Sequence, residues 1–454
     1  MELKNKKALV VGTGISGVAA TSLICQNNGK VTLIDSNTKL NKDEIRNQLP
    51  LEYQVNIVIG ELTEDELNQF DYVVLSPGVP TDLPFVKYMR AQGIPIIGEI
   101  ELAYAFEPGR VVGITGTNGK TTTTALTGAI MRSYFESVQV VGNIGLPYTS
   151  MVTENNKDSI TVAELSSFQL ETVSEFHPKV SAILNITPDH LNRHHTMENY
   201  IAAKFNVTKN QTIGDTCVLN YEDEVLRSFG ETLGCKVIYF SSKRELKVGM
   251  FLKDNSIYWA DGETVRKICD VSELLLLGTH NYENVMAAVA MAIAMGVPFD
   301  CIHKTITSFH AVEHRIEFVK EVKGVKYYND SKGTNPDAAI KGIKAMTSMT
   351  YLIGGGYDKD SEYDEWIKAF DGKVKSLILL GQTRDKIAEA ARKNGFNSII
   401  MVSSLEEAVD TCYSLAKPGE SVLLSPACAS WGMFKNYEQR GDIFKELVRN
   451  LPEK

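Results

Sequence analysis

Positive charge is what this chain has too little of. Its 47 Lys and Arg side chains stand against 56 Asp and Glu, a net charge of −9, so no general electrostatic attraction to nucleic acid or to an anionic membrane is available. Any phosphate site must be local. Cysteine is scarce as well: Cys25, Cys217, Cys235, Cys269, Cys301, Cys412 and Cys428 are an odd number without a CxxC pair. That pattern points to reduced thiols in the cytoplasm and away from a disulfide frame or a zinc cluster. Long apolar runs are also missing. The longest, at 285–297, falls short of the ~20 residues a membrane helix needs, and the lysine-rich opening leads into a run at 8–12 too short for a secretory signal. No internal repeat or low-complexity tract is present, which excludes a solenoid.

What is there is the composition of an ordinary soluble protein, 43% hydrophobic and 23% charged over 454 residues, enough for about three domains at roughly 150 residues each. Short β-branched runs at 8–11, 31–34, 55–59 and 72–75 alternate with helical patterns, the first at about 15–26. Such alternation predicts a parallel sheet covered by helices. The pattern closes near residue 98, and a second series opens at 111–115, followed by 160–164 and 180–185. The stretch 248–267 alternates instead, with turn signals at Asp254-Asn255 and Asp261-Gly262, and reads as a small antiparallel insert. Helices at about 281–295 and 299–308 end this block, and strand signals restart at 325–328, 351–353, 376–380, 399–402 and 421–424. The expected organisation is α/β throughout: a Rossmann-like domain at 1–98, a central phosphate-loop ATPase-type domain at 99–311, and a C-terminal Rossmann-like domain at 312–454.

Two loops carry chemistry that their spacing makes readable. Val111-Val-Gly-Ile-Thr-Gly116-Thr117-Asn118-Gly119-Lys120-Thr121-Thr122 is a strand running into a glycine-rich loop whose Lys-Thr pair begins a helix. Backbone N–H groups there wrap phosphates, Lys120 supplies charge and the Thr121 hydroxyl can ligate Mg²⁺. Ile114 stands where the strict pattern has glycine, so this is a variant loop with Gly116 at the tight turn. Gly12-Thr-Gly14-Ile-Ser16-Gly17 follows a strand and opens a helix, with Asp35 ending the next strand. On spacing this is a dinucleotide fingerprint, although any diphosphate would satisfy it, and so would a tight turn with close helix packing.

Further candidates follow predicted strands. Glu164 and His190 can offer oxygen and nitrogen to a metal held at the phosphate loop, although either residue alone is more often scaffold or surface. In the third domain, His314-Arg315 and Asn329-Asp330-Ser-Lys332-Gly-Thr334-Asn335-Pro336 place Arg315, Asp330, Lys332 and Thr334 ahead of a helix capped by Asn335, where cations could neutralise a transferring phosphoryl group. An NAD-dependent oxidoreductase would leave the phosphate loop unused. A nucleotide-driven switch would leave the N-terminal diphosphate site unused. A ligase with both an ATP and a nucleotide-linked substrate uses both.

These residues resemble the Mur ligases, which build the peptide of bacterial peptidoglycan, over the whole chain and in the same three-domain order. The phosphate loop is shared with folylpolyglutamate synthases, which would have little use for the N-terminal diphosphate domain. More specific are Gly142-Asn143-Ile-Gly-Leu-Pro147, Glu164-Leu-Ser-Ser-Phe-Gln-Leu-Glu171, Asn329 to Pro336, and Leu424-Ser-Pro-Ala-Cys-Ala-Ser430 through Phe434-Lys-Asn-Tyr437-Glu-Gln-Arg-Gly441. The resemblance implies ATP-driven amide formation between UDP-N-acetylmuramoyl-L-alanine and D-glutamate through an acyl phosphate, with Mg²⁺ at two positions.

By the same resemblance ATP falls to residues 116–122, Asn281, Asn284, Arg315 and Asp330, and the UDP substrate to Gly14, Ser16, Gly17, Asp35, Gly78, Asn143 and His190. D-Glutamate falls to Thr334, Lys359, Ser430 and Tyr437, the last standing where some members have Phe. The metal ligands implied are Thr121, Glu164, His190 and Lys204, and the catalytic set Lys120, Glu164, His190, Lys204 and Lys332. Lys204 enters as a CO₂-derived carbamate, since an ammonium cannot ligate Mg²⁺ whereas a carbamate oxygen can; by its local pattern alone it reads as a helix-surface charge. The implied partners are these small molecules, with no nucleic acid or membrane, and the implied state is a monomer.

Overall fold

The computed structural model describes residues 2–310, 313–358 and 361–453. It divides into two compact units, Met1–Val271 with Glu283–Thr307, and Ser272–Tyr282 with Ser308–Lys454. The expected division at 311/312 and the candidate Lys359 lie outside the described residues.

The first unit holds two sheets. Strands β1 (Lys7–Val11), β2 (Lys30–Asp35), β3 (Val55–Ile59), β4 (Tyr72–Leu75) and β5 (Ile96–Gly98) form a parallel sheet in the order β3-β2-β1-β4-β5. Leu9, Val10, Val73 and Val74 are buried, as expected for parallel strands covered by helices on both faces. The strand order reverses at β1, and the crevice at the carboxyl ends of β1 and β4 is where such sheets bind ligands.

The second sheet contains β6 (Arg110–Thr115), β7 (Val138–Gly142), β8 (Ile160–Glu164), β9 (Val180–Ile183), β10 (Thr216–Asn220), β11 (Lys236–Ser241), β12 (Val248–Lys253), β13 (Ser256–Asp261) and β14 (Val265–Asp270), in the order β14-β13-β12-β11-β10-β9-β6-β8-β7. The antiparallel insert is β12 to β14. Its first turn has Asp254 and Asn255 both left-handed, at φ 47° and 57°, the conformation a two-residue hairpin loop requires. The insert is joined edge-on to the parallel strands through β11 and β12. Strands β7, β10 and β11 are additional to those the sequence pattern predicts.

In the second unit β15 (Glu317–Val322), β16 (Val325–Asn329), β17 (Thr350–Gly354), β18 (Val374–Leu379), β19 (Ile399–Met401) and β20 (Ser421–Leu424) take the order β15-β16-β20-β17-β18-β19. All pairs are parallel except β15 with β16. Strand β15 is also unforeseen. It is an edge strand in which Glu317, Lys320 and Glu321 dilute the apolar pattern that reveals interior strands. None of the seven cysteines is in a disulfide, and among the described residues no helix is long and apolar enough to cross a membrane.

Candidate active site

Strand β6 delivers the phosphate loop to the carboxyl edge of the middle sheet. Gly116 and Gly119 have φ 146° and 87°, a region that costs a side chain roughly 1–2 kcal/mol. A Cβ on Gly119 would also collide with Asn284 Oδ1. The loop is fastened to the segment after β9: Thr117 N–H donates to Asn185 O at 2.9 Å, and Asn118 N–H donates to Asn185 Oδ1 at 2.8 Å while its carbonyl accepts from Asn185 Nδ2 at 3.0 Å. Asn185 thus holds the loop like a second backbone, a role its place at a strand end does not announce. Lys120 opens the helix Lys120–Arg132, with Thr121 and the buried Thr122 following. On the other side Asn284 Oδ1 accepts from Thr123 Oγ1 at 3.3 Å.

Two lysines converge on this loop. Lys120 Nζ donates to Gly116 O at 2.9 Å and to Thr117 O at 3.0 Å. Lys204, on the helix Met197–Phe205, is only 2% exposed, so the surface placement its local pattern suggests is incorrect. Its Nζ donates to the same Gly116 O at 2.8 Å and lies 4.7 Å from the centre of the Tyr200 ring. Burial, reinforced by the Lys120 charge, pushes Lys204 down to about 6.

Glu164 ends β8 and is buried. Its Oε1 accepts from Asn143 Nδ2 at 2.8 Å, while Oε2 is buried without a hydrogen-bond partner among the described residues. A buried carboxylate oxygen left unpaired is expensive unless a cation meets it. His190 lies on the segment after β9 with φ 52°. Its ring is exposed, 3.4 Å from Asp189 Oδ2 and 4.9 Å, centre to centre, from Phe168. Among the described residues no three His, Cys, Asp or Glu side chains cluster as a metal site. The expected magnesium set is of another kind, the Glu164 carboxylate with the Thr121 hydroxyl, the His190 imidazole and a modified Lys204. The orphaned Glu164 oxygen fits that set, being the hard anionic donor Mg²⁺ prefers.

At the first sheet, Gly14, Ser16 and Gly17 form the entry to the helix Ile15–Gln26, which has no acidic residue in its first turn. A Cβ on Gly17 would collide with Gly12 O, whereas one on Gly14 would meet open space. Gly17 therefore serves close packing, and Gly14 leaves the helix N-terminus uncovered. Asp35 accepts from Thr13 N at 3.0 Å, Thr13 Oγ1 at 2.9 Å and Asn37 N at 3.0 Å. Partial burial raises its carboxyl, but these donors outweigh it and hold the group below the usual range. Gly78 follows β4 at the same sheet edge. Arg193 ties the two sheets of this unit together, donating to Val79 O at 2.9 Å and to Glu171 Oε2 at 2.8 Å.

The second unit gathers its own set. Asn335 caps the helix Pro336–Ala345 through Ala338 N–H, which leaves Lys332 and Thr334 on the loop before it. Lys332 Nζ sits 5.6 Å from the Tyr437 ring centre. Ser331 Oγ donates to Tyr437 O at 2.8 Å, and the buried Arg440 secures Ser331 O and Cys428 O at 2.8 and 3.2 Å. Arg440 and Ser331, which the motif reading did not single out, are what bring the segments around Lys332, Ser430 and Tyr437 together. Tyr357 N–H donates to Ala429 O at 2.9 Å, which sets the loop after β17 beside buried Ser430. Cys428 is buried between Tyr363 Oη and Thr383 Oγ1 at 3.1 and 3.2 Å. Asn281 is buried and donates to Leu277 O at 2.7 Å.

Asp330 is buried, accepts from Ser425 Oγ at 2.7 Å, and is pushed up to about 7 by that burial despite the hydroxyl and nearby Arg315. Arg315 Nε is buried without a hydrogen-bond partner among the described residues.

Three α/β sheets of this order, with a phosphate loop in the middle one, define the Mur ligase architecture. Solved structures with this fold include UDP-N-acetylmuramate-alanine ligase MurC from Thermotoga maritima, with a TM-score of 0.61 and 18% identity over 98% of this chain and 99% of that one. MurF from the same organism in complex with ADP gives 0.59 and 17% over 99% and 97%. The chain belongs to the Mur ligase family: residues 6–98 match the Mur ligase MurD-like N-terminal domain, 114–292 the Mur ligase middle domain, and 314–428 the Mur ligase glutamate ligase domain. Within the family it is 59% identical to the UDP-N-acetylmuramoylalanine–D-glutamate ligase of Lachnoclostridium phytofermentans, over 99% of both chains. Against the enzyme of that name from Clostridioides difficile it is 45% identical, over 99% of this chain and all of that one.

Proposed function

We propose that this chain joins the carboxyl group of UDP-N-acetylmuramoyl-L-alanine to the amine of D-glutamate with ATP, releasing ADP and phosphate, in the cytoplasm and as a monomer. The observations that carry the reading are the pair of lysines on Gly116 O and, at the end of the strand paired with β6, a buried Glu164 oxygen without a hydrogen-bond partner among the described residues. In this reading 1–98 holds the UDP handle, 99–311 the nucleotide and 312–454 the amino acid.

A carboxylate is a poor electrophile, so its oxygen first attacks the γ-phosphorus of ATP and ADP leaves. The acyl phosphate then accepts the glutamate nitrogen through a tetrahedral intermediate that expels phosphate, and the ammonium protons pass to solvent. Two anions meet in the first step, so the site must crowd cations around them. Lys120 and the N–H groups of 116–122 take the ATP phosphates, Arg315 adds a guanidinium and Lys332 steadies the acyl phosphate. Asn281 and Asn284 serve the adenine and Asp330 the ribose side. Gly14, Ser16, Gly17, Asp35 and Gly78 receive the UDP portion, with Asn143 and His190 nearer the muramoyl end. Thr334, Lys359, Ser430 and Tyr437 hold the two carboxylates of D-glutamate.

Magnesium at two positions would neutralise phosphate charge, one ion held by Thr121 and Glu164 and one by His190 and Lys204. For Lys204 this requires the amine to capture CO₂ with loss of a proton, giving an anionic carbamate. Its buried nitrogen, pushed down to about 6 by that burial, supports the reading, because only the neutral amine attacks CO₂.

Phosphate release measured with ATP, Mg²⁺ and UDP-N-acetylmuramoyl-L-alanine, comparing D-glutamate, L-glutamate, L-lysine and no amine, tests the assignment. Release with D-glutamate alone is expected. Equal release without any amine would identify a nucleotide hydrolase instead.

A further inference from the structure

Arg315 stands on a corner of the backbone that the chain would not adopt unaided. The residues on either side, His314 and Ile316, have φ 65° and 48°, which for a β-branched isoleucine is a true outlier. Such a corner persists only where its surroundings over-determine it, and here they do. The His314 N–H donates to Glu317 Oε2 at 2.9 Å, and its carbonyl accepts from Lys332 N–H at 2.9 Å. Its buried ring lies with Nδ1 3.0 Å from Asn329 Nδ2, which also donates to Glu317 Oε2 at 3.1 Å.

Behind these contacts is a buried cation with no part in the reaction. Lys445 Nζ, on the helix Tyr437–Arg449, lies 3.0 Å from Glu313 Oε1, 3.2 Å from Asp442 Oδ1 and 3.6 Å from Glu317 Oε1. Its side chain is 5% exposed, whereas Glu313 and Asp442 are mostly in solvent. Glu317 is therefore shared: one oxygen faces Lys445, and the other receives the His314 N–H and the Asn329 amide.

We propose that Lys445, acting through Glu317, is a positioning residue for the nucleotide phosphates. It fixes the carboxylate that pins His314, and so holds the corner that aims Arg315 and, through the His314 carbonyl, the backbone of Lys332. This deepens the functional reading above and rests on its assignment of Arg315 to ATP.

The test uses the full chain and steady-state phosphate release, with Lys445→Met, Lys445→Arg, Arg315→Ala and the double variant Arg315→Ala/Lys445→Met. Lys445→Met is expected to raise the KM for ATP about tenfold or more, with the KM values for the UDP substrate and D-glutamate changed less than twofold. Lys445→Arg should recover most of the loss, and the KM for ATP of the double variant should be no higher than that of Arg315→Ala. A Lys445→Met enzyme with unchanged KM for ATP, or rises in that KM that multiply in the double variant, would overturn the proposal. If Arg315→Ala itself leaves the KM for ATP unchanged, the assignment of Arg315 falls, a failure distinguishable from the first. Should the methionine variant not fold, Glu317→Gln is the second probe, with the same rise in KM for ATP expected and an unchanged value contradicting the clamp.

Discussion

Lys120 and Lys204, 84 positions apart in the sequence, donate to one and the same carbonyl oxygen, that of Gly116, at 2.9 and 2.8 Å. Two ammonium groups so placed repel each other, and burial adds to that penalty at Lys204, which is pushed down to about 6.

If Lys204 works as a carbamate, Lys204→Ala should lose at least ~100-fold in kcat, the scale of removing one electrostatic contact from a reacting site. Millimolar acetate or formate should restore part of it by supplying the missing oxygens. Lys204→Arg, which keeps the charge but cannot capture CO₂, should be as inactive as the alanine variant. Turnover at the unmodified rate in Lys204→Ala would remove the carbamate from the account.

The buried Glu164 oxygen, without a hydrogen-bond partner among the described residues, predicts opposite effects on stability and activity. Glu164→Gln keeps the shape and removes a buried charge, so the thermal midpoint without Mg²⁺ should stay level or rise. The Mg²⁺ concentration for half-maximal activity should rise about tenfold or more. An unchanged Mg²⁺ requirement in titrations of phosphate release would count against Glu164 as a ligand.

The two helix-entry glycines should separate packing from binding. Gly17→Ala forces a methyl into the Gly12 carbonyl and is expected to lower the thermal midpoint by several degrees, at roughly 4–8 °C per kcal/mol for a domain of about 100 residues. Gly14→Ala meets nothing within the protein, so its midpoint should not move, while the KM for the UDP substrate rises several-fold because the methyl enters the space the diphosphate needs. Equal KM values for Gly14→Ala and the parent chain would move the diphosphate elsewhere.

His280 is pushed down to about 4 by burial and by the charges of Lys341 and Arg315. With an unfolded value near 6.5, the unfolded chain binds the extra proton between about pH 6.5 and 4 and the folded chain does not. Stability therefore falls as the pH drops through that window. Urea unfolding at pH 7, 6, 5 and 4 should show a shallower acid loss in His280→Asn than in the parent. Identical slopes would mean that His280 titrates normally.

Local patterns were the readable part of this protein. The phosphate loop, the Gly12–Gly17 turn, the Asn335-Pro336 helix start and the Asp254-Asn255 hairpin each depend on residues within a few positions of one another, and spacing alone exposes them. Lys204 is opaque to its own neighbourhood because the carbonyl that receives its Nζ, that of Gly116, lies far back in the chain, and only family resemblance points to it. Strand β15 was missed because an edge strand can carry charges, and Asn185 because a polar residue at a strand end has many uses. The cluster of Glu313, Glu317, Asn329 and Lys445 leaves no periodic trace at all, since three separate stretches meet only once β15, β16 and the last helix have packed.

The most direct measurement follows oxygen. With both carboxylate oxygens of the alanine in UDP-N-acetylmuramoyl-L-alanine labelled with oxygen-18, one turnover with ATP and D-glutamate should transfer one labelled oxygen to the released phosphate and leave the other in the new amide. Phosphate without label, formed alongside the amide product, would contradict the acyl-phosphate route on which the roles proposed for Lys120, Lys204 and Lys332 depend.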